Sequence, residues 1–177
     1  YTTMSMQITL KKCELRSFLE GDAETLALHA NNRNIWLNLR DAFPNPYTED
    51  HAREFIRTTL EATPESHFAI TVDGKPVGAI GFRLHGDVER VSAEVGYWLS
   101  ESLWGRGIAT EALVAMTEYA IDAYELTRIY AMPFEWNPSS MRVLEKAGYK
   151  LEVRMNRSAI KDGKIVDQFL YAYVAPE

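Results

Sequence analysis

The residues best placed to do chemistry lie where a strand hands over to a helix. In Glu94-Val-Gly-Tyr-Trp-Leu-Ser-Glu-Ser-Leu-Trp-Gly-Arg-Gly-Ile-Ala-Thr-Glu-Ala-Leu113, a strand is expected to end near Leu99, and a helix to start at Gly107 after a short loop. Gly105 and Gly107 remove side chains from that junction. The first amides of a helix have no acceptor within it, so several N–H groups can point at one anion, favoured by the helix dipole. Arg106 adds a formal positive charge, and the pattern suits a pyrophosphate seat. The same residues also suit a plain glycine-assisted helix start. No Gly-Lys-Ser/Thr follows, which excludes a Walker A loop. The third glycine of a dinucleotide fingerprint is missing as well. Gly96 lies inside the preceding strand, where a glycine suggests a bulge or a ligand passing close to backbone. A bulge there would splay the strand from its parallel neighbour and let a linear ligand bond the freed backbone.

These residues need a scaffold, and the pattern supplies one. Cys13 to Phe18 alternates as a first strand. Asp22 is expected to cap a helix to about Asn31 with Leu26 and Leu28 as its apolar contributors, and Ile35 to Leu37 a short second helix. Two prolines make Phe43 to Tyr47 a loop. Thr48 then caps a helix to about Thr63, with Ala52, Phe55, Ile56 and Leu60 on one stripe. Strands at His67–Val72 and Pro76–Leu84 flank Asp73-Gly74, a strong hairpin signal, and Val91–Leu99 comes next. The helix from Gly107 to Ala123 places Ile108, Ala112, Ala115, Met116 and Tyr119 on one face. Thr127–Met132 is an apolar strand. Asn137-Pro138 opens a helix that Gly148 closes, and two last strands flank Asp162-Gly163. The order β α α β β β α β α β β implies an α+β (mixed α/β) fold. One central, mostly antiparallel sheet carries helices on its faces, and a β–α–β crossover makes one strand pair parallel. A single domain over 1–177 accommodates all of it.

Composition narrows the class. With 19 Lys and Arg against 25 Asp and Glu, the net charge is −6, which argues against a nucleic-acid binder and suits a cationic partner such as an amine. No apolar run approaches the roughly 20 residues of a membrane span. Tyr1 to Met6 lacks the charged-then-apolar order of a signal peptide. Cys13 is the only cysteine, and His29, His51, His67 and His85 are scattered, so neither a disulfide nor a metal site is expected. His51 and His85 are expected at the surface. A reducing, cytoplasmic setting follows by default.

The run Ala93-Glu-Val-Gly-Tyr-Trp-Leu99, followed by Trp104-Gly-Arg-Gly-Ile-Ala-Thr-Glu-Ala112, resembles the acetyl-CoA motif of the GNAT N-acetyltransferases. Asn137-Pro-Ser-Ser-Met-Arg-Val-Leu-Glu-Lys-Ala-Gly-Tyr149 resembles the following helix of that superfamily. With Tyr47-Thr-Glu-Asp-His-Ala-Arg-Glu-Phe55, the likeness is to the ribosomal-protein N-terminal (RimJ/RimL-like) branch and runs from about Cys13 to Tyr173. It implies acetyl transfer from acetyl-CoA, without metal, to a primary amine by direct attack. The amine is that of a protein N-terminus or of a small molecule such as a polyamine or an amino-sugar antibiotic. A non-catalytic acyl-CoA-binding regulatory module is the reading of a different kind.

By resemblance, Glu94 deprotonates the amine and Ser140 protonates the leaving thiol, with Tyr149 the substitute for Ser140. Tyr97, Trp98, Leu99, Trp104, Gly105, Arg106, Gly107, Ile108, Ala109, Thr110, Asn137 and Ser140 hold the cofactor. Trp104 stands where the family often has Gln or Arg. Trp36, Phe43, Tyr47 and Glu94, with acidic Asp41, Glu49 and Asp50, are expected to wall the acceptor. The resemblance also allows a homodimer and implies neither nucleic acid nor membrane as partner.

Overall fold

A computed structural model describes residues 5–177; Tyr1–Met4, which belong to the opening stretch with no signal-peptide pattern, lie outside it. Eight strands form one sheet: β1 (Gln7–Thr9), β2 (Glu14–Arg16), β3 (His67–Val72), β4 (Lys75–Leu84), β5 (Ser92–Leu99), β6 (Arg128–Ala131), β7 (Lys150–Lys161) and β8 (Lys164–Val174). Their spatial order is β1-β2-β3-β4-β5-β6-β8-β7, and β5 with β6 is the parallel pair in an otherwise antiparallel sheet. The turn residues explain both hairpins. Asp73 and Gly74 have φ of 52° and 77°, and Asp162 and Gly163 have 51° and 73°. Both central residues thus take the positive φ that a two-residue turn matching strand twist requires.

Alternation along β3 and β4 sends side chains to two different cores. Phe68, Ile70, Ile80 and Phe82 face α4 (Ile108–Ala123) and its buried stripe of Ile108, Ala112, Leu113, Met116 and Ala120. Ala69 and Ala79, paired across the two strands, face the other way. Their small size lets α1 (Ala23–Ala30) and α3 (Glu49–Glu61) lie close, packing Leu26, Ala27, Ala52 and Ile56 against Phe18. Thr48 caps α3 as expected: its hydroxyl accepts from the His51 amide and His51 Nδ1 accepts from the Thr48 amide. α2 (Arg33–Trp36) is a single turn, and α5 (Pro138–Lys146) is capped by the Asn137 side chain.

Four local expectations are corrected. The three-residue strand β1 offers no alternation to read, and the first expected strand shrinks to Glu14–Arg16. Asp22 precedes α1 without capping it, because its carboxylate accepts from Arg16 at 2.7 and 2.9 Å and from the Leu19 amide at 2.8 Å. Leu28 and Leu60 point to solvent; on α3, the third buried position belongs to Thr59. His85 is half-buried, its Nε2 2.8 Å from the Tyr130 hydroxyl and its ring stacked on Tyr130.

Candidate active site

β5 runs in unbroken register with β4 from Ala93 to Leu99 but pairs with β6 only at Ser92, Ala93 and Glu94. No bulge lies at Gly96, so the expected cause of a splay is absent while the splay itself is present. The chain after β6 follows β8 instead. Pro133 comes just after that strand and has no N–H to offer. The chain beyond it is held to β8 by Phe169 N–H to the Pro133 carbonyl (3.0 Å) and Glu135 N–H to the Asp167 carbonyl (3.0 Å). Each strand therefore stays with its outer neighbour, and a cleft opens between them. Gly96, inside a central strand of an eight-stranded sheet, is exposed, and a Cβ built on it would meet nothing within 4 Å.

One mouth of the cleft is the start of α4. Gly105 and Gly107 have φ of +75° and +80°, which glycine alone adopts at little cost. No side chain caps α4, so the amides of Ile108, Ala109 and Thr110 keep no intrahelical acceptor. The Trp104 ring is partly exposed, and its Nε1–H donates to the Leu99 carbonyl at 2.8 Å, bracing the turn. Lys12 is a neighbour of this mouth that sequence reasoning misses. From the β1–β2 turn its Nζ donates to the Arg106 carbonyl at 2.8 Å, while Glu111 accepts the Lys11 and Lys12 amides. A contact between residues 94 positions apart leaves no spacing signal.

The cleft wall nearest α5 carries Ser140. Its Oγ is 2.9 Å from the Tyr97 hydroxyl, so two residues singled out separately meet across the gap. Burial pushes the Tyr97 phenol up to about 12, and the Ser140 bond offsets a little of that rise. Asn137 Oδ1 accepts the Ser140 amide at 3.3 Å. Tyr149 lies in the core with its hydroxyl 2.7 Å from Thr117.

Glu94, Gly96 and Trp98 share one face of β5, opposite Arg83, Gly81 and Ala79 of β4. The Glu94 side chain is 12% exposed, and each of its oxygens has its own cation: Arg40 at 2.8 Å on Oε1 and Arg83 at 2.5 Å on Oε2. Burial alone would raise its pKa, but the hydrogen bonds and charges of Arg40 and Arg83 outweigh that and hold the carboxyl below its usual range. Arg83 could have been found from the sequence, since the register of two adjacent strands sets it opposite Glu94. Arg40 belongs to a loop and could not. The same face continues past Glu94 into a hollow of about 400 Å3 lined by His85, Gly86, Glu89, Ser92, Arg128 and Tyr130.

Residues 31–47 roof this face. Trp98 packs edge-on against Phe43, which contacts Tyr47; Tyr47 itself is buried in the core beneath. Trp36 is covered by the Lys161 ammonium, 3.9 Å from its ring centre, and that ammonium also binds Asp41 at 2.9 Å. Asn32 and Asn34 donate to Glu101, and Trp136 Nε1–H donates to the Leu37 carbonyl at 3.2 Å. A second hollow of about 430 Å3 lies between Trp104 and Trp136 under Leu37 and Asn38. Of the acids expected to greet a cation, Asp41 is held by Lys161, and Glu49 and Asp50 by Arg53. Cys13 is buried, its thiol pushed up to about 11 by burial first and by Glu111 second. Among the described residues, no three His, Cys, Asp or Glu side chains gather as a metal site, and no helix is long and apolar enough to cross a membrane.

The profile of the Acetyltransferase (GNAT) domain family matches residues 12–150. The chain is 31% identical over 165 residues to the ribosomal-protein-serine acetyltransferase of Escherichia coli (strain K12), covering 91% of this chain and 92% of that protein. Its fold resembles Mycobacterium smegmatis RimJ in complex with CoA-disulfide, with a TM-score of 0.82, 26% identity, and coverage of 92% of this chain and 82% of that one. It also resembles RimL, the ribosomal L7/L12 alpha-N-protein acetyltransferase, in complex with coenzyme A. There the TM-score is 0.85, the identity 21%, and the coverage 96% of this chain and 98% of that one.

Proposed function

The chain belongs to the GNAT acetyltransferase family and is an N-acetyltransferase, and we propose that it moves the acetyl group of acetyl-CoA to a primary amine, a protein N-terminal amine foremost, by direct attack. The observation that carries this reading is the one-sided splay. β5 stays zipped to β4 and β6 to β8, and the gap between them runs from an uncapped helix mouth to the half-buried Glu94 carboxylate.

The mouth fits a diphosphate. Gly105 and Gly107 bring backbone close, the amides of Gly107 to Thr110 supply donors along the dipole, and Arg106 adds charge. Trp104 braces the loop in place of a charged side chain, so binding rests on backbone amides. The freed edge of Tyr97, Trp98 and Leu99 would hold the pantetheine arm from one side, and Asn137 with Ser140 from the other. The bound thioester supplies an electrophilic carbonyl and a thiolate leaving group.

Glu94 receives the amine. Because its pKa is lowered, it stays ionised at neutral pH, and water beside it carries away the first proton that the ammonium sheds. Nitrogen then bonds to the acetyl carbon, and the carbon–sulfur bond breaks. The leaving sulfur takes a proton from the Ser140 hydroxyl, which the bonded Tyr97 hydroxyl keeps supplied; the second proton lost by nitrogen balances that gain. Trp36 and Phe43 wall the acceptor, with Tyr47 supporting Phe43 from beneath.

Calorimetric titration with acetyl-CoA tests the first half: binding near micromolar is expected, and none at millimolar overturns the reading. Release of CoA from a panel of N-terminal peptides, polyamines and amino sugars tests the second. Tight binding without release from any amine would replace this reading with a regulatory acyl-CoA module.

A further inference from the structure

The acceptor site has an imbalance of charge that bears on what it accepts. Two guanidiniums, Arg40 and Arg83, converge on one carboxylate, so the cluster is positive by one formal charge although the chain as a whole carries −6. The excess is not offset nearby. Glu152, the next carboxylate along the sheet, is taken at both oxygens by Arg128, at 2.7 and 2.6 Å. Asp41 is held by Lys161, and Glu89 lines the far hollow beyond Ser92. Each of Arg40 and Arg83 gives one nitrogen to Glu94 and is otherwise open, with side chains 62% and 60% exposed. A guanidinium carries five donors in a planar fork, so both residues keep donors beyond the one given to Glu94.

We propose that the acceptor is a zwitterion: its amine sits beside a carboxylate, the ammonium going to Glu94 and the carboxylate to Arg40 and Arg83. This rests on the acetyltransferase reading and narrows its acceptor class. The physical reason is exchange. Each Glu94 oxygen already accepts from a guanidinium, so an incoming ammonium has to share Oε1 with Arg40 or displace it. A plain amine would leave the displaced Arg40 unpaired and raise the cluster from one excess positive charge to two. A zwitterion replaces one ion pair with two and leaves the excess at one, and the fork of Arg40 suits a carboxylate bidentately. Arg40 can make this move because it lies on a loop, whereas Arg83 is fixed by the β4–β5 register. Gly96, beside Glu94 on the same face, leaves open space for an acceptor backbone, and the hollow past Tyr130 has space for the rest of the acceptor. Polyamines and amino sugars, which bring only positive charge, are disfavoured on the same ground. An amino acid and a peptide beginning with Asp or Glu present the same chemistry.

The test is CoA release from matched acceptors: peptides starting Asp or Glu against Asn or Gln, free aspartate and glutamate, and spermidine. The acidic member of each pair is expected to lead its amide twin by about tenfold or more in kcat/KM, the range for a charge-assisted pair. The peptide and free amino-acid arms identify the source. Arg40→Met should collapse the acid-to-amide ratio toward one while acetyl-CoA binding by calorimetry stays as in the parent. A purely structural Arg40 would change both twins alike. Equal rates for the peptide twins with no release from free aspartate or glutamate, a lead for spermidine, or a ratio unmoved in both Arg40→Met and Arg83→Met would overturn the inference and leave the acetyltransferase reading standing. No release from any acceptor would overturn both.

Discussion

Gly81 and Gly96 are register partners on the same sheet face, and substitutions at the two should have opposite consequences. At Gly81 an added Cβ would lie 2.1 Å from the ring of His67, which is itself packed edge-on against Phe55 at 5.9 Å. Overpacking of this kind costs about 1–3 kcal/mol. For a chain of this size that is roughly 2–12 °C in Tm, taking about 2–4 °C per kcal/mol. At Gly96 nothing stands within 4 Å and φ is not positive, so a side chain is neither strained nor crowded. Removing a strand-interior glycine returns about 0.5–1 kcal/mol of conformational entropy, so Gly96→Leu should hold or slightly raise Tm. The same leucine projects into the groove between Glu94 and Trp98. A displacement of about 1 Å in a reacting group costs on the order of 100-fold, so kcat/KM should fall at least that far. Thermal melts and a thiol-reagent assay of CoA release on the two variants decide it. A Gly96→Leu enzyme within about threefold of the parent would refute the view that this groove carries the reaction. So would a Gly81→Ala protein with unchanged Tm for the packing that floors it.

Glu94→Gln should lower kcat/KM by about 100-fold or more with little change in acetyl-CoA affinity. In the parent, the acid limb of the pH–rate profile due to Glu94 should lie below its ordinary 4.5; Arg83→Met, by removing a lowering charge and leaving burial to act, should move that limb to higher pH. Ser140→Ala should cut kcat by about 100-fold, and Tyr97→Phe, which removes the hydroxyl bonded to Ser140 Oγ, by less, with KM for acetyl-CoA nearly unchanged in both. Lys161→Met removes an ammonium 1% exposed but leaves Asp41 free to hydrate, so about 1 kcal/mol of stability should go, read as a few degrees in Tm. It should raise the acceptor KM more than the acetyl-CoA KM, because Asp41 tethers the loop that carries Arg40.

The legible features are those that depend on near neighbours. The two Asp-Gly turns, the Thr48 and Asn137 caps and the Gly105-Arg106-Gly107 junction each state their geometry within four residues, and the structure returns all of them. Helix faces are legible to within one position, which is why the apolar stripe points to Leu60 where the structure buries the neighbouring Thr59. The splay is legible but its cause is not. Gly96 suggests a bulge because a bulge is the local way to separate adjacent strands, whereas here the register stays regular at Gly96 and the chain after β6, from Pro133 on, is bonded to β8 instead of β5.

The charges around Glu94 are the least legible feature, for a definite physical reason. The net charge of −6 and the acids at 41, 49 and 50 point to a surface that welcomes cations. Yet net charge sets only the far field, which solvent ions screen within about 8–10 Å. A ligand in a groove answers to the few charges within hydrogen-bond reach, and there the sign is reversed. Arg40 arrives from 54 positions away and Arg83 from the adjoining strand, while each acid is withdrawn into a pair of its own: Asp41 with Lys161, Glu49 and Asp50 with Arg53. The acidic surface can still draw an ammonium toward the protein. The guanidiniums at the end of the path then require that the same molecule carry a negative group as well.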